Sequence, residues 1–139
     1  NCRNKNTCPL NGKCLSSNLI YKAEVESNQN TKVYIGLTAP TFKERYANHL
    51  KSFRLVRYKK ETELSKYIWY LKDKGETYDI KWSIIRHARA YNPITKSCNL
   101  CLTEKLLIAT FENKEILLNK RSEFISKCRH ERKFILENN

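Results

Sequence analysis

The sequence predicts a mixed α/β (α+β) chain in which three strands and several helices follow in the order strand, strand, helix, helix, strand, helix. Three observations carry this. Residues 19–26, 32–37 and 79–86 alternate or concentrate β-formers. Residues 42–53 and 64–71 place apolar side chains at helical intervals instead. The link Ser27-Asn28-Gln29-Asn30 is a polar turn short enough that the first two strands must pair as an antiparallel hairpin.

Each element has its own signal. Leu19 to Glu26 is the first strand and Lys32 to Leu37 the second. Pro40-Thr41 opens a helix, with Thr41 as the cap and Glu44 at capping-box spacing. Phe42, Tyr46, His49-Leu50 and Phe53 form its core stripe. Thr62 or Ser65 starts the next helix, with Leu64, Ile68 and Leu71 inward and an end near Gly75. Asp79 to Arg86 alternates as a third strand, a loop holds Pro93, and Leu102 to Phe111 and Arg121 to Lys127 read as helices. No repeat or low-complexity tract is visible.

The chain has 139 residues, a net charge of +13 and a pI of about 9.6. That length is one domain with a single modest core, plus small appendages. The excess of Lys and Arg runs along the whole chain, with aromatics interleaved from Phe53-Arg54 through Tyr58-Lys59-Lys60 to Tyr67, Trp69 and Tyr70. This is the footprint of a polyanion binder, and nucleic acid fits better than a membrane surface. No apolar run approaches the length that spans a bilayer, and the polar opening Asn1 to Asn6 shows no secretory signal.

Six cysteines fall in two groups, Cys2, Cys8 and Cys14 at equal six-residue steps, and Cys98, Cys101 and Cys128. Cys98-x2-Cys101 has zinc-knuckle spacing, and Cys128-x-His130 can complete a tetrahedral Cys3His site. The first trio is a second zinc candidate that lacks a fourth ligand; Cys128, His130, His87 or a cysteine upstream in a longer parent protein are the options. Three disulfides in a secreted basic protein are the rival pairing. A CxxC redox role is disfavoured, because no thioredoxin-like βαβ unit surrounds it.

The most telling stretch is Tyr34-Ile35-Gly36, thirteen residues after Tyr21 and nine before Arg45, with His49 one helical turn further on. Taken singly these residues read as sheet tyrosines, a solvated arginine and a packing histidine. In order, and with Glu104 and Asn119 downstream, they resemble the GIY-YIG endonuclease family over residues 19–120. The resemblance implies a small three-stranded antiparallel sheet flanked by helices. It makes residues 18–120 a nuclease core, 1–17 a cysteine-containing extension and 121–139 a C-terminal helix with a Cys/His tail. One departure is Leu19, which stands where the first motif has glycine.

The resemblance implies a metal-dependent endonuclease that nicks DNA. Tyr21, Tyr34, Arg45, His49, Glu104 and Asn119 would be its catalytic residues. Glu104 would hold one Mg2+ or Mn2+ ion. Arg45 would take the phosphate, Tyr21 would activate water with Tyr34 and His49 beside it, and Asn119 would orient Glu104 or the backbone near it. Lys22 and Lys32, flanking the tyrosines, are candidates for further phosphate contacts, with Arg54, Lys59 and Lys60 on the basic helix end. Glu63, paired with Glu61 at a helix start, is the rival carboxylate and reads better as capping. The segments Cys8-Pro9-Leu10-Asn11-Gly12-Lys13-Cys14, Thr62 to Trp69 and Cys128-Arg129-His130 further resemble the endonuclease region of Penelope-like retroelement polyproteins. That implies fusion to a reverse transcriptase and a reducing nuclear or cytoplasmic setting. The alternatives are a catalytically silent, zinc-stabilised nucleic-acid-binding module and a repair or restriction nuclease of the same fold. Target sequence, strand preference and oligomeric state stay open.

Overall fold

The computed structural model describes residues 2, 5–28, 30–89, 92–95 and 98–120. The expected helix at 121–127, the segment 121–139, Cys128 and His130 lie outside the described residues.

Strands β1 (Ser17–Ser27) and β2 (Asn30–Thr41) form the expected hairpin, both longer than their sequence signals. Asn28 at the turn has φ 38°, a conformation asparagine tolerates better than most residues. Helix α1 (Phe42–Arg54) follows at once, and the Thr41 hydroxyl caps it by accepting from Glu44 N. A 3-10 turn at Val56–Tyr58 leads to α2 (Glu63–Asp73), where Thr62 and Ser65 cap each other reciprocally. Strand β3 (Tyr78–His87) returns along β1, and α3 (Asn99–Thr110) closes the described order. Helix α3 begins three residues earlier than the sequence predicts, because Cys98 takes the cap position without a side-chain bond and so leaves no capping signal.

The sheet is antiparallel with order β2-β1-β3, so β1 is central. Side chains of a strand alternate between faces, and the two faces serve different cores. Leu19, Tyr21, Ala23, Val25 and Tyr34 meet Phe42, Phe53, Leu64, Ile68 and Leu71 from α1 and α2. Ile20, Val33, Ile35 and Leu37 meet Leu100, Cys101 and Ile108 from α3 on the opposite face. The described residues are therefore α+β, with a three-stranded antiparallel sheet between one layer of two helices and one layer of a single helix.

Two irregularities fall beside Tyr21. The β1–β2 register shifts between Ser17 and Leu19, where Asn18 has φ 52°, and the β1–β3 register shifts between Ile20 and Tyr21. Such bulges increase local twist and re-aim neighbouring side chains. The outer edge of β2 is partly covered. Segment 116–118 runs along it, with Val33 N donating to Ile116 O at 2.8 Å and Leu118 N donating to Val33 O at 2.7 Å.

Candidate active site

Tyr21, on the central strand, is 0% exposed and sits opposite Gly36 of β2. Its ring crosses over that glycine: a Cβ built on Gly36 would lie 2.4 Å from the Tyr21 oxygen and 2.5 Å from Cζ. No side chain fits there, so the absence of one at Gly36 is what lets the ring lie flat against β2. Tyr34, two residues before Gly36 and on the same face, brings its ring centroid within 6.5 Å of Tyr21.

Helix α1 supplies the other two members. Arg45 and His49 are four residues apart and so share one helix face. Arg45 Nε donates to the Tyr21 oxygen at 3.0 Å, and the same oxygen lies 2.6 Å from His49 Nε2. His49 is 1% exposed, with its ring packed against Tyr34, Phe53 and Trp82. Burial by itself would lower the Arg45 guanidinium, but Tyr21 and Tyr34 facing it hold it above its ordinary value, so it stays charged. Sequence reasoning nominated all four residues, and the fold brings them together.

Asn119 bonds the backbone of β2. Its amide oxygen accepts from Ile35 N at 2.8 Å and its amide nitrogen donates to Ile35 O at 2.8 Å. The two bonds continue the edge pairing of segment 116–118 and fix the backbone between Tyr34 and Gly36. Glu104 stands on α3, in the layer on the opposite face of the sheet from Tyr21, and is 7% exposed. Its neighbours at helical spacing, Leu100, Cys101 and Ile108, form the core face of α3.

The basic candidates divide. Lys22 follows Tyr21, so the pleat turns it to the other face, where it pairs with Glu24 at 2.8 Å. Lys32 donates to the Glu115 carbonyl at 2.9 Å and ties segment 113–119 to β2. Arg54 is exposed at the end of α1, and Lys59 and Lys60 stand between Tyr58 and Glu61 in the turn before α2. Glu63 makes ion pairs with Lys66 at 2.9 Å and Lys120 at 3.7 Å, while the capping falls to Thr62 and Ser65.

Two grooves meet at Arg45. One, of about 170 Å³, lies between α1 and the start of α2 and is lined by Arg45, His49, Lys51, Tyr58 and Thr62 among others. The Tyr58 ring has Lys51 at 4.6 Å and Arg57 at 4.9 Å from its centroid. The other, of about 230 Å³, follows the uncovered end of the β2 edge, from Leu37 to Pro40, across to Glu44, Arg45 and Asn48. Leu37 and Ala39 belong to the α3 side of the sheet and Thr38 to the α1 side, so this groove reaches both layers. Lys51 and Tyr58 were not singled out from sequence as parts of a cleft; the interleaving of charge with aromatics was their only signal.

The first three cysteines also converge. The sulfurs of Cys2, Cys8 and Cys14 all lie within 4.8 Å of one another, and among the described residues this is the one group of three or more Cys, His or acidic side chains placed to hold a metal ion. Burial raises the Cys8 thiol, but hydrogen bonds from the backbone at Leu10 and Gly12 and from Cys14 together outweigh it and bring the thiol down to about 7. Cys14 is pushed up to about 11, first by burial and then by its two sulfur neighbours. Cys98 and Cys101 are buried at the start of α3.

No family model, curated protein or solved structure matches the chain.

Proposed function

We propose that this chain is a nuclease domain of the GIY-YIG kind, a metal-dependent hydrolase that nicks DNA. The observation that carries the reading is the Tyr21 hydroxyl, bonded at once to Arg45 and His49, beside Tyr34 and over Gly36, next to open grooves in a chain of charge +13. A silent binding module has no use for a buried phenol between a guanidinium and an imidazole.

Arg45 Nε can only donate; we assign the Tyr21 proton to the bond with His49 Nε2, which then accepts it as the Nδ1–H tautomer. Arg45 has further N–H groups for the two non-bridging oxygens of a phosphate, in a forked geometry that lysine lacks. Because Tyr21 is fully buried, Arg45 is the member that meets the backbone of DNA in the grooves. For the relay to act, the attacking water must reach the Tyr21 oxygen as the phosphate draws Arg45 toward it; the water's proton would then pass to the Tyr21 oxygen and the Tyr21 proton to His49, while Arg45 neutralises the charge that builds on the phosphate. Tyr34 walls the relay, and Asn119 holds the strand that presents Tyr34 and Gly36.

A single buried carboxylate suits a hydrated hard cation, which takes few protein ligands and keeps its waters. Glu104 would hold that ion, Mg2+ or Mn2+, and a bound ion would supply a Lewis acid for the leaving 3′ oxygen. The partner is DNA, and the retroelement setting, with a reverse transcriptase in the same polyprotein and a reducing nuclear or cytoplasmic location, rests on the resemblance. A supercoiled plasmid incubated with Mg2+ tests the reading. Wild type should nick it, and Glu104→Gln should bind DNA normally but leave the plasmid closed. Equal nicking by both proteins would remove Glu104 from the site; none by wild type with either metal would favour the silent binding module.

A further inference from the structure

We propose that Cys2, Cys8 and Cys14 bind one zinc ion, and that this site seats α1 so that Arg45 and His49 reach Tyr21. The second half rests on the nuclease reading; the first does not.

The geometry fits a metal better than a cross-link. Tetrahedral zinc with bonds of about 2.3 Å holds its sulfurs about 3.8 Å apart, which accords with three sulfurs inside 4.8 Å of one another. A disulfide would use two sulfurs at about 2.0 Å and leave the third beside it; the three are free thiols in this structure. The turn after Cys8 is built around its sulfur. Asn11 N donates to Cys8 O at 3.3 Å, Lys13 N donates to Leu10 O at 3.2 Å, and Asn11 and Gly12 take φ of 54° and 93°. The result folds the loop back on itself and brings the Cys14 sulfur beside that of Cys8. Three soft thiolates select zinc over the hard cation assigned to Glu104. They fill three of four tetrahedral positions, and the fourth is not supplied by a described Cys, His or acidic side chain in the cluster.

The same segment holds the start of α1. Phe42 N donates to Ser16 O at 2.8 Å and Lys43 N donates to Cys14 O at 2.7 Å, so two first-turn amides of α1 are satisfied by the cysteine loop. Tyr46 and the half-buried Cys2 and Cys8 pack against the same core. Tyr46 stacks on Phe42 at 5.9 Å, and Phe42 meets the edge of Tyr21 at 5.3 Å. Arg45 is the neighbour of Tyr46, and His49 is one turn on.

The full chain, purified under reducing conditions, is assayed for zinc by elemental analysis beside Cys8→Ser, Cys14→Ser and Cys8→His. Each serine variant should carry one zinc fewer per chain and melt at lower temperature, and Cys8→His should keep the ion. Cobalt exchanged into wild type should show thiolate charge-transfer absorption that Cys8→Ser loses. Unchanged zinc content in both serine variants, or a disulfide within the trio by mass spectrometry, overturns the site. For the coupling, nicking is measured well below the melting point of Cys8→Ser. The turnover rate should fall about tenfold or more, as misplacement of a reacting group does, with KM for DNA little changed and Cys8→His restoring the rate. Loss of zinc with full turnover overturns the coupling alone. If wild type cuts nothing, the zinc and cobalt measurements still decide the site, and the nuclease reading is what fails.

Discussion

Gly36 and Tyr21 show how closely one residue depends on another across a ladder. The ring lies where a Cβ of residue 36 would be, in a buried site with no flexible chain end to move aside. Gly36→Ala should therefore displace the Tyr21 ring, cost about 1–3 kcal/mol of stability as overpacking does, and depress nicking more than binding. Normal nicking by the alanine variant would show that the ring position is irrelevant to cleavage. Tyr21→Phe probes the hydroxyl. From sequence alone the change is expected to leave the melting temperature nearly untouched, because it removes almost no volume. The structure revises that. Without the hydroxyl, the buried His49 Nε2 loses its 2.6 Å partner and Arg45 Nε its 3.0 Å partner. Leaving a buried polar atom unsatisfied costs about 1–3 kcal/mol. Thermal or denaturant unfolding should register that loss, together with loss of most nicking; a Tyr21→Phe protein as stable and active as wild type would refute the relay.

Among the elements, β2 is the one most exposed to error, since an edge strand has a partner on one side only. Segment 116–119 supplies the other side, with two backbone bonds at Val33 and the Asn119 amide on Ile35. Asn119→Ala should lose two hydrogen bonds, about 1–3 kcal/mol in total, and loosen Tyr34 and Gly36 with them. Hydrogen exchange at Ile35 should quicken in that variant, with nicking reduced; unchanged protection of Ile35 would mean that the strand holds its place without the asparagine. The helices are more self-sufficient. Thr41 caps α1 and the Thr62–Ser65 pair caps α2. Both starts were legible in the sequence, since capping is a local event between residues three apart.

Over the whole molecule, charge acts through where it is gathered rather than through its sum. Lys51 and Tyr58 line the cleft beside Arg45, and Lys51 and Arg57 both lie over the Tyr58 ring. On the nuclease reading, cations there would take the phosphates that flank the one at Arg45, and the ring would support a base or sugar. Measured against salt, the logarithm of the DNA affinity should fall linearly. Lys51→Gln and Arg57→Gln should each weaken binding at low salt and reduce the slope by about 1. Slopes identical to that of wild type would place the DNA elsewhere on the surface.

The sequence by itself determined the element order, the hairpin, the two helix caps and the residue types of the candidate site. Each of those rests on neighbours within a few positions: alternation along 19–26, a four-residue turn, Thr41 against Glu44, Arg45 against His49. What only the tertiary structure decided involves residues far apart in the chain. Tyr21 meets Gly36, Arg45 and His49 at one point because β1 is central and α1 packs on the face that carries both. Lys22, adjacent to Tyr21 in sequence, is turned to the other face by the same pleat. Asn119 reaches Ile35, 84 residues away, through an edge pairing that no local pattern announces. Cys2, Cys8 and Cys14 read as equal steps without a partner, and it is the turn at Asn11 and Gly12, docked on the start of α1, that brings their sulfurs together.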